Sequence, residues 1–204
     1  MRGMFKETDH FNNNISSWDV SKVTDMHSMF HSSKSFNQKL DNWKTESLID
    51  ITAMFQNAEK FNQNLNNWDV SKVTSMTNAF QNAKEFNGDI KDWKTNSVTS
   101  MKNMFTNAVS FNQNISKWTT DKVTDMSYMF DGAEKFNQDI TSWNIESVEN
   151  FNGMLRQAKE FNQDLSKWNP KKEIKPNRKY QFVEGTKIKE KASTFLNSKE
   201  IKAK

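Results

Sequence analysis

The chain has no cysteine, only two prolines, five glycines, three histidines and three arginines in 204 residues. The missing cysteine excludes disulfides, thiol catalysis and a cysteine-based zinc site. No apolar run approaches the ~20 residues of a membrane-spanning helix, and residues 1–10 carry no signal-peptide core. Hydrophobic residues make up 34% of the chain and the mean hydropathy is −0.92, an average that by itself points to disorder.

What the chain does have is a period. Phenylalanine stands at 11, 36, 61, 86, 111, 136 and 161, tryptophan at 18, 43, 68, 93, 118, 143 and 168, and no tryptophan falls outside its series. A fixed step of 25 residues marks stacked units, each burying its apolar positions against its neighbours. Stacked columns can be dry even when the average residue is polar, so the period outweighs the composition.

In the first copy the apolar positions are Phe11, Ile15, Trp18, Val20, Val23, Met26, Met29 and Phe30. Ile15-x-x-Trp18-x-Val20-x-x-Val23 has the L-x-x-L-x-L-x-x-L spacing and predicts a short strand, with Trp18 and Val20 inward. Met26, Met29, Phe30 and Ser33 at i, i+3, i+4 and i+7 predict a helix of about two turns. Thr24 would cap it and Asp25 would sit in its acidic first turn. The fold class expected is an α/β solenoid. It is a leucine-rich-repeat-like right-handed coil stack with one short parallel strand and one short helix per repeat, and the open face of its sheet is concave.

Three regions follow. Residues 1–10 form a partial repeat, because Met4-Phe5 aligns with Met29-Phe30; it is either an N-terminal cap or part of a longer array. Residues 11–168 are a seven-repeat body. Residues 169–204 hold 11 Lys or Arg and 4 Glu, and are expected to form a basic C-terminal cap with a frayed tail. Both prolines, Pro170 and Pro176, fall there, and Tyr180–Ile188 suggests a hairpin turning at Glu184-Gly185.

Three columns invite a role. Asn12, Asn37, Asn62, Asn87, Asn112, Asn137 and Asn162 each follow the repeat phenylalanine. They predict a structural ladder of amides that serve backbone groups, with donation from the amide nitrogen included. The tryptophan column occupies the inward position of the pattern and is assigned to the core rather than to a sugar-binding stripe. The outward positions Ser17, Asp19, Asn42, Lys44, Asn67, Asp69, Asp92, Lys94, Lys117 and Thr119 form the expected ligand-binding strip of the concave face. Asp19, Lys44, Asp69 and Lys94 alternate in sign, which also suits a charge ladder holding register.

Catalytic chemistry finds no footing. No Gly-rich phosphate loop or Ser-His-Asp order stands out, and the carboxylates sit on repeated exposed columns. His27 and His31 have the i, i+4 spacing of a two-point metal site but no third ligand, so no metal and no cofactor are expected. The basic tail, lysine-rich and interspersed with glutamate, reads as a solvated segment, so no nucleic-acid partner is expected.

The strings F-N-Q-D-I-T-S-W-N at 136–144 and V-T-D-M-S-Y-M-F-D-G-A at 123–133 resemble a known repeat. It is the BspA-like leucine-rich repeat of bacterial surface proteins, and the likeness is nearest to the domain of unknown function in mycoplasma surface lipoproteins. It covers residues 4 to 168. The resemblance implies display at the cell surface or secretion, adhesion or antigenic variation, and no catalytic residues. Some members bind host matrix proteins such as fibronectin and fibrinogen. The lipoprotein's attachment cysteine is missing here, so a membrane link would run only through an N-terminal anchor outside this chain. The expectation is a non-enzymatic, monomeric protein-binding module, with a structural spacer presenting another domain as the alternative.

Overall fold

The computed structural model describes residues 1–168, 170 and 182–188. Coils begin at each phenylalanine of the series: one at 11, two at 36, three at 61, four at 86, five at 111, six at 136 and seven at 161.

The α/β solenoid expected from the spacing is not what the chain forms. Among the described residues the repeats contain no helix and no sheet, and strand pairing shrinks to one bridging residue per coil. Asp25, Asp50, Ser75, Ser100, Asp125 and Asn150 bridge in parallel, each to the next.

The segment expected to be helical shows why. In an α-helix each N–H bonds to the carbonyl four residues back in its own segment. Here the donors divide. Met26, Ser28, Phe30 and Ser32 donate to the carbonyls of Asp50, Thr52, Met54 and Gln56 in the next coil, at 2.7–3.0 Å. Met29, His31 and Ser33 donate three residues back, closing turns. Ser28 and Ser32 have φ of 54° and 58°, the left-handed third position that a type II turn requires. A left-handed residue at every fourth position is incompatible with a right-handed helix. Two such columns run through the stack: Gly3, Ser28, Ala53, Asn78, Asn103, Tyr128, Gly153 and Glu7, Ser32, Asn57, Asn82, Asn107, Gly132, Gln157. Eight of these fourteen are Asn or Gly, the types that accept this backbone most readily. At Gly153 the choice is forced twice, since a Cβ there would stand 2.6 Å from the Tyr128 ring.

The expected cap is a turn as well. Asp25 accepts the His27 N–H at 2.8 Å, as Asp50 does for Thr52 and Asp125 for Ser127, so the column opens the ribbon of turns.

The strand expected over Ile15–Val23 becomes two turns, closed by Trp18 N–H to Ile15 O and Val23 N–H to Val20 O. Side chains replace a ladder there. Trp43 Nε1–H donates to Ile15 O of the previous coil at 3.1 Å, and Trp68, Trp93, Trp118, Trp143 and Trp168 repeat the bond. Where threonine takes the Val20 place, its hydroxyl finds a carbonyl ahead: Thr45 to Asp69, Thr95 to Thr119, Thr120 to Asn144. The buried indole N–H groups and these threonine hydroxyls are thereby compensated.

Inward positions remain those of the apolar spacing. Met26, Met29, Phe30 and Ser33 are fully buried even though no helix carries them. Phe55 of coil two stacks on Phe61 at 3.9 Å and on Phe80 at 5.4 Å, both of coil three, and Trp43 lies 6.0 Å from Trp68. Each such ring, once buried, contributes about 1.5–3 kcal/mol, with offset stacking adding to it.

Residues 1–10 form the same ribbon of turns, with Gly3, Phe5 and Glu7 donating to His27, Met29 and His31 of coil one. At the far end Leu155 and Gln157 donate to Phe182 and Glu184, and the Phe182 ring meets Phe151 edge-on at 6.1 Å. The chain turns at Glu184-Gly185, where Thr186 N–H bonds to Val183 O and Gly185 has φ of 79°. Asn169, Pro176, Tyr180 and the tail from 189 lie outside the described residues, and with them most of the region 169–204 and the first part of the hairpin.

Candidate functional site

All ten residues of the expected strip are exposed: Ser17, Asp19, Asn42, Lys44, Asn67, Asp69, Asp92, Lys94, Lys117 and Thr119. They do not line a concave sheet, because there is no sheet. They project from the turn-bounded stretch of each coil, beside the buried tryptophans.

Two of them already have work in their own coil. Asp19 accepts the Ser21 N–H at 3.0 Å and Asp69 accepts the Ser71 N–H at 2.9 Å. These bonds favour the charged form, so both carboxyls sit below the ordinary range; at Asp69 Lys94 adds to the effect through space. Among the described residues neither Asp19–Lys44 nor Asp69–Lys94 closes to an ion pair, so the alternating charges act at a distance. Several ion pairs that do close run one coil apart on other columns: Lys34 to Asp9, Lys84 to Glu59, Lys159 to Glu134, and the bidentate Arg156 to Asp131.

The asparagine column joins coils by its oxygen. Asn12 Oδ1 accepts the Asn37 N–H at 2.9 Å, and the bond recurs from each of Asn37, Asn62, Asn87, Asn112 and Asn137 to the next, ending at Asn162. The glutamine one place later often adds a bond, as when Gln63 Nε2 reaches Asn37. A second amide ladder escaped the sequence reading. Asn82 donates to Asn57 and Asn107 to Asn82, while Asn103 donates to Asn78. Its signal was present, as Asn recurring where φ is positive.

The strip deepens beside Trp93. Lys91, Asp92, Trp93, Lys94 and Asn96 of coil four and Lys117 and Thr119 of coil five line a hollow of about 250 Å³. Four of the seven belong to the expected strip. Lys91, Trp93 and Asn96 were not expected there; Trp93 is 2% exposed and forms its floor.

Its charges are unevenly used. Lys91 Nζ lies 2.8 Å from Asp89, which raises the Lys91 pKa, and Lys117 Nζ lies 3.2 Å from Asp92. Asp92 also accepts from Asn66 Nδ2 at 2.9 Å, and these two bonds lower its pKa. Lys94 has no carboxylate within ion-pair distance among the described residues.

The histidines do not share a helix face, since there is no helix. His27 lies 3.7 Å from Asp50. His31 is partly buried with Nδ1 unpaired, and desolvation lowers its pKa. Among the described residues no cluster of three or more metal-ligating side chains occurs.

Compared with known proteins, the chain matches one family twice, over residues 1–93 and 74–195. No curated protein and no solved structure matches it. The match supports the mycoplasma part of the resemblance and a repeated unit; a BspA-like leucine-rich repeat is not confirmed. With nearly the whole chain covered, the protein belongs to the family described as Mycoplasma protein of unknown function, DUF285.

Proposed function

We propose that the chain is a non-enzymatic protein-binding module displayed outside the cell, and that its partner docks on the exposed strip between the tryptophan turns. The observation that carries this reading is the strip itself: ten side chains on one repeated face, all exposed, four of them meeting at a hollow. Columns that stitch the coils together are spent on structure. Lys44, Lys94 and Thr119 make no side-chain bond among the described residues that the fold needs. The partner class that the family resemblance implies is a host matrix protein, and adhesion or antigenic display is the corresponding role.

A spacer is the second reading, favoured by Asp19 and Asp69, whose carboxylates hold their own turns. Binding of fibronectin and fibrinogen to immobilised protein separates the two. In the double variant Lys44→Glu, Lys94→Glu, stability should move by less than ~1 kcal/mol because exposed charges contribute little. Binding should drop at least tenfold, since like charges against a partner cost several kcal/mol. Binding of neither matrix protein, or equal binding by the variant, leaves the spacer reading in place.

A further inference from the structure

Coil four, which supplies most of the lining of the hollow, departs from the other coils in one column. In the column after the ladder asparagine the chain has Asn13, Gln38, Gln63, Gln113, Gln138 and Gln163, but Gly88 in coil four. A Cβ at Gly88 would stand 2.1 Å from the Gln63 carbonyl oxygen, so the backbone there occupies space that a side chain would claim. Coil four meets coil three through a further set of bonds. Leu65 N–H donates to Asp89 O at 3.0 Å and Asp89 N–H to Asn64 Oδ1 at 2.9 Å. Asp92 N–H donates to Asn66 Oδ1 at 2.8 Å, and Asn66 Nδ2 returns the bond to the Asp92 carboxylate. On the other side Lys117 and Thr119 of coil five complete the lining of the hollow.

We propose that Gly88 creates a binding site between coils four and five for the carboxylate side chains of an acidic protein segment, with Lys94 as its free cation. This deepens the reading above and rests on it for the partner being a protein. Lys91 and Lys117 stand at the rim, paired with Asp89 and Asp92. Lys94 alone of the three has no carboxylate within ion-pair distance among the described residues, Asp69 acting on it only through space, and Asn96 and Thr119 bring further polar groups. The same arrangement disfavours nucleic acid. Asp92 faces into the set, the only ring in the lining is the buried Trp93, and residues 1–168, with 18 basic and 21 acidic residues, carry a net charge of −3. A polyphosphate needs a positive track and exposed rings for its bases. Isolated carboxylates need only one or two well-placed ammonium groups.

The test is titration of the full chain with a fluorescent hexaglutamate peptide, with hexaglutamine, a heparin oligosaccharide and single-stranded DNA alongside. Lys94→Ala should weaken hexaglutamate binding at least tenfold, whereas Lys102→Ala, at an exposed lysine outside both the strip and the hollow, should stay within twofold. Gly88→Gln installs the side chain found in five other coils, pushes the segment back from Gln63, and should also weaken binding at least tenfold. All three variants keep the basic tail, so a loss reports the hollow. Equal binding by wild type, Lys94→Ala and Gly88→Gln overturns the proposal, as does tighter binding of heparin or DNA that Lys94→Ala abolishes. Should fibronectin or fibrinogen bind wild type and both variants alike, the acidic-segment site fails while the protein-binding reading stands. Should neither matrix protein bind while hexaglutamate behaves as expected, that reading fails and the site stands.

Discussion

Replacing Trp68 tests the packing and the stitching together. The indole is 3% exposed, lies 6.0 Å from Trp43 and 6.4 Å from Phe55, and donates to Leu40 O at 2.9 Å. Trp68→Ala removes the ring and should cost about 3–5 kcal/mol, as large core truncations do. Trp68→Phe keeps most of the apolar body but leaves the Leu40 carbonyl without its donor, for roughly 1–3 kcal/mol. Trp18 supplies the contrast. It belongs to the first layer, is half-buried, and makes no indole bond to an earlier coil among the described residues. Trp18→Ala should therefore cost no more than ~2 kcal/mol, because less apolar area returns to water. Urea unfolding followed by circular dichroism gives the three midpoints. The slope m adds a second readout, since a variant that uncouples coils two and three exposes its surface in stages. A shift below ~1 kcal/mol for Trp68→Ala would refute the inward assignment. Equal losses at Trp68 and Trp18 would refute the claim that burial and the indole bond set the magnitude.

Three further outcomes follow from particular bonds. Asn87 Oδ1 accepts the Asn112 N–H, so Asn87→Ala should destabilise by about 1 kcal/mol, while Asn87→Asp keeps the acceptor and should stay within ~0.5 kcal/mol by the same urea assay. A large loss in Asn87→Asp would restore the donor role that the sequence suggested. Ala53 has φ of 55°, so Ala53→Gly should stabilise by about 1 kcal/mol and Ala53→Val should destabilise by more than that. The acid limb has a definite sign. Hydrogen bonds hold the Asp69, Asp92 and Asp139 carboxyls below their ordinary value, so their stabilisation is present above that value and fades as pH falls beneath it. Urea midpoints should fall below pH ~4, the ordinary carboxylate range, and less steeply in Asp139→Asn; an unchanged slope in that variant removes Asp139 from the account.

Burial was legible in the sequence and the path of the backbone was not. The spacing of Met26, Met29, Phe30 and Ser33 named the inward residues correctly, yet it could not say which carbonyl each N–H would meet. A helix and a ribbon of turns both send side chains inward at three- and four-residue intervals. What distinguishes them is conformational tolerance at the outward positions, and that was written in Asn57, Asn78, Asn82, Asn103, Asn107, Gly132 and Gly153. Alternation around Trp18 likewise gave the exposed strip correctly, while the strand assigned to it dissolved into two turns. The hollow was illegible for another reason. It arises from the one place where Gly88 interrupts a side-chain column, and its effect depends on backbone approach rather than on any residue lining the site.

Variation among the copies separates structure from availability. The tryptophan column and the asparagine column are filled identically in all seven coils, and from coil two onward each carries a hydrogen bond to its neighbour. A bond of fixed length repeated at each junction tolerates one side chain and few others. The strip columns obey no such rule: 17, 42, 67, 92 and 117 read Ser, Asn, Asn, Asp, Lys, and 19, 44, 69, 94 and 119 read Asp, Lys, Asp, Lys, Thr. Their side chains point away from the stack, so the coil geometry sets only their spacing and leaves their chemistry open. A partner reading this surface would meet a regular lattice of positions with an irregular pattern of charge. Specificity can be written there without disturbing the fold. The one junction where the lattice itself is altered, at Gly88, is also where an unpaired lysine faces a hollow.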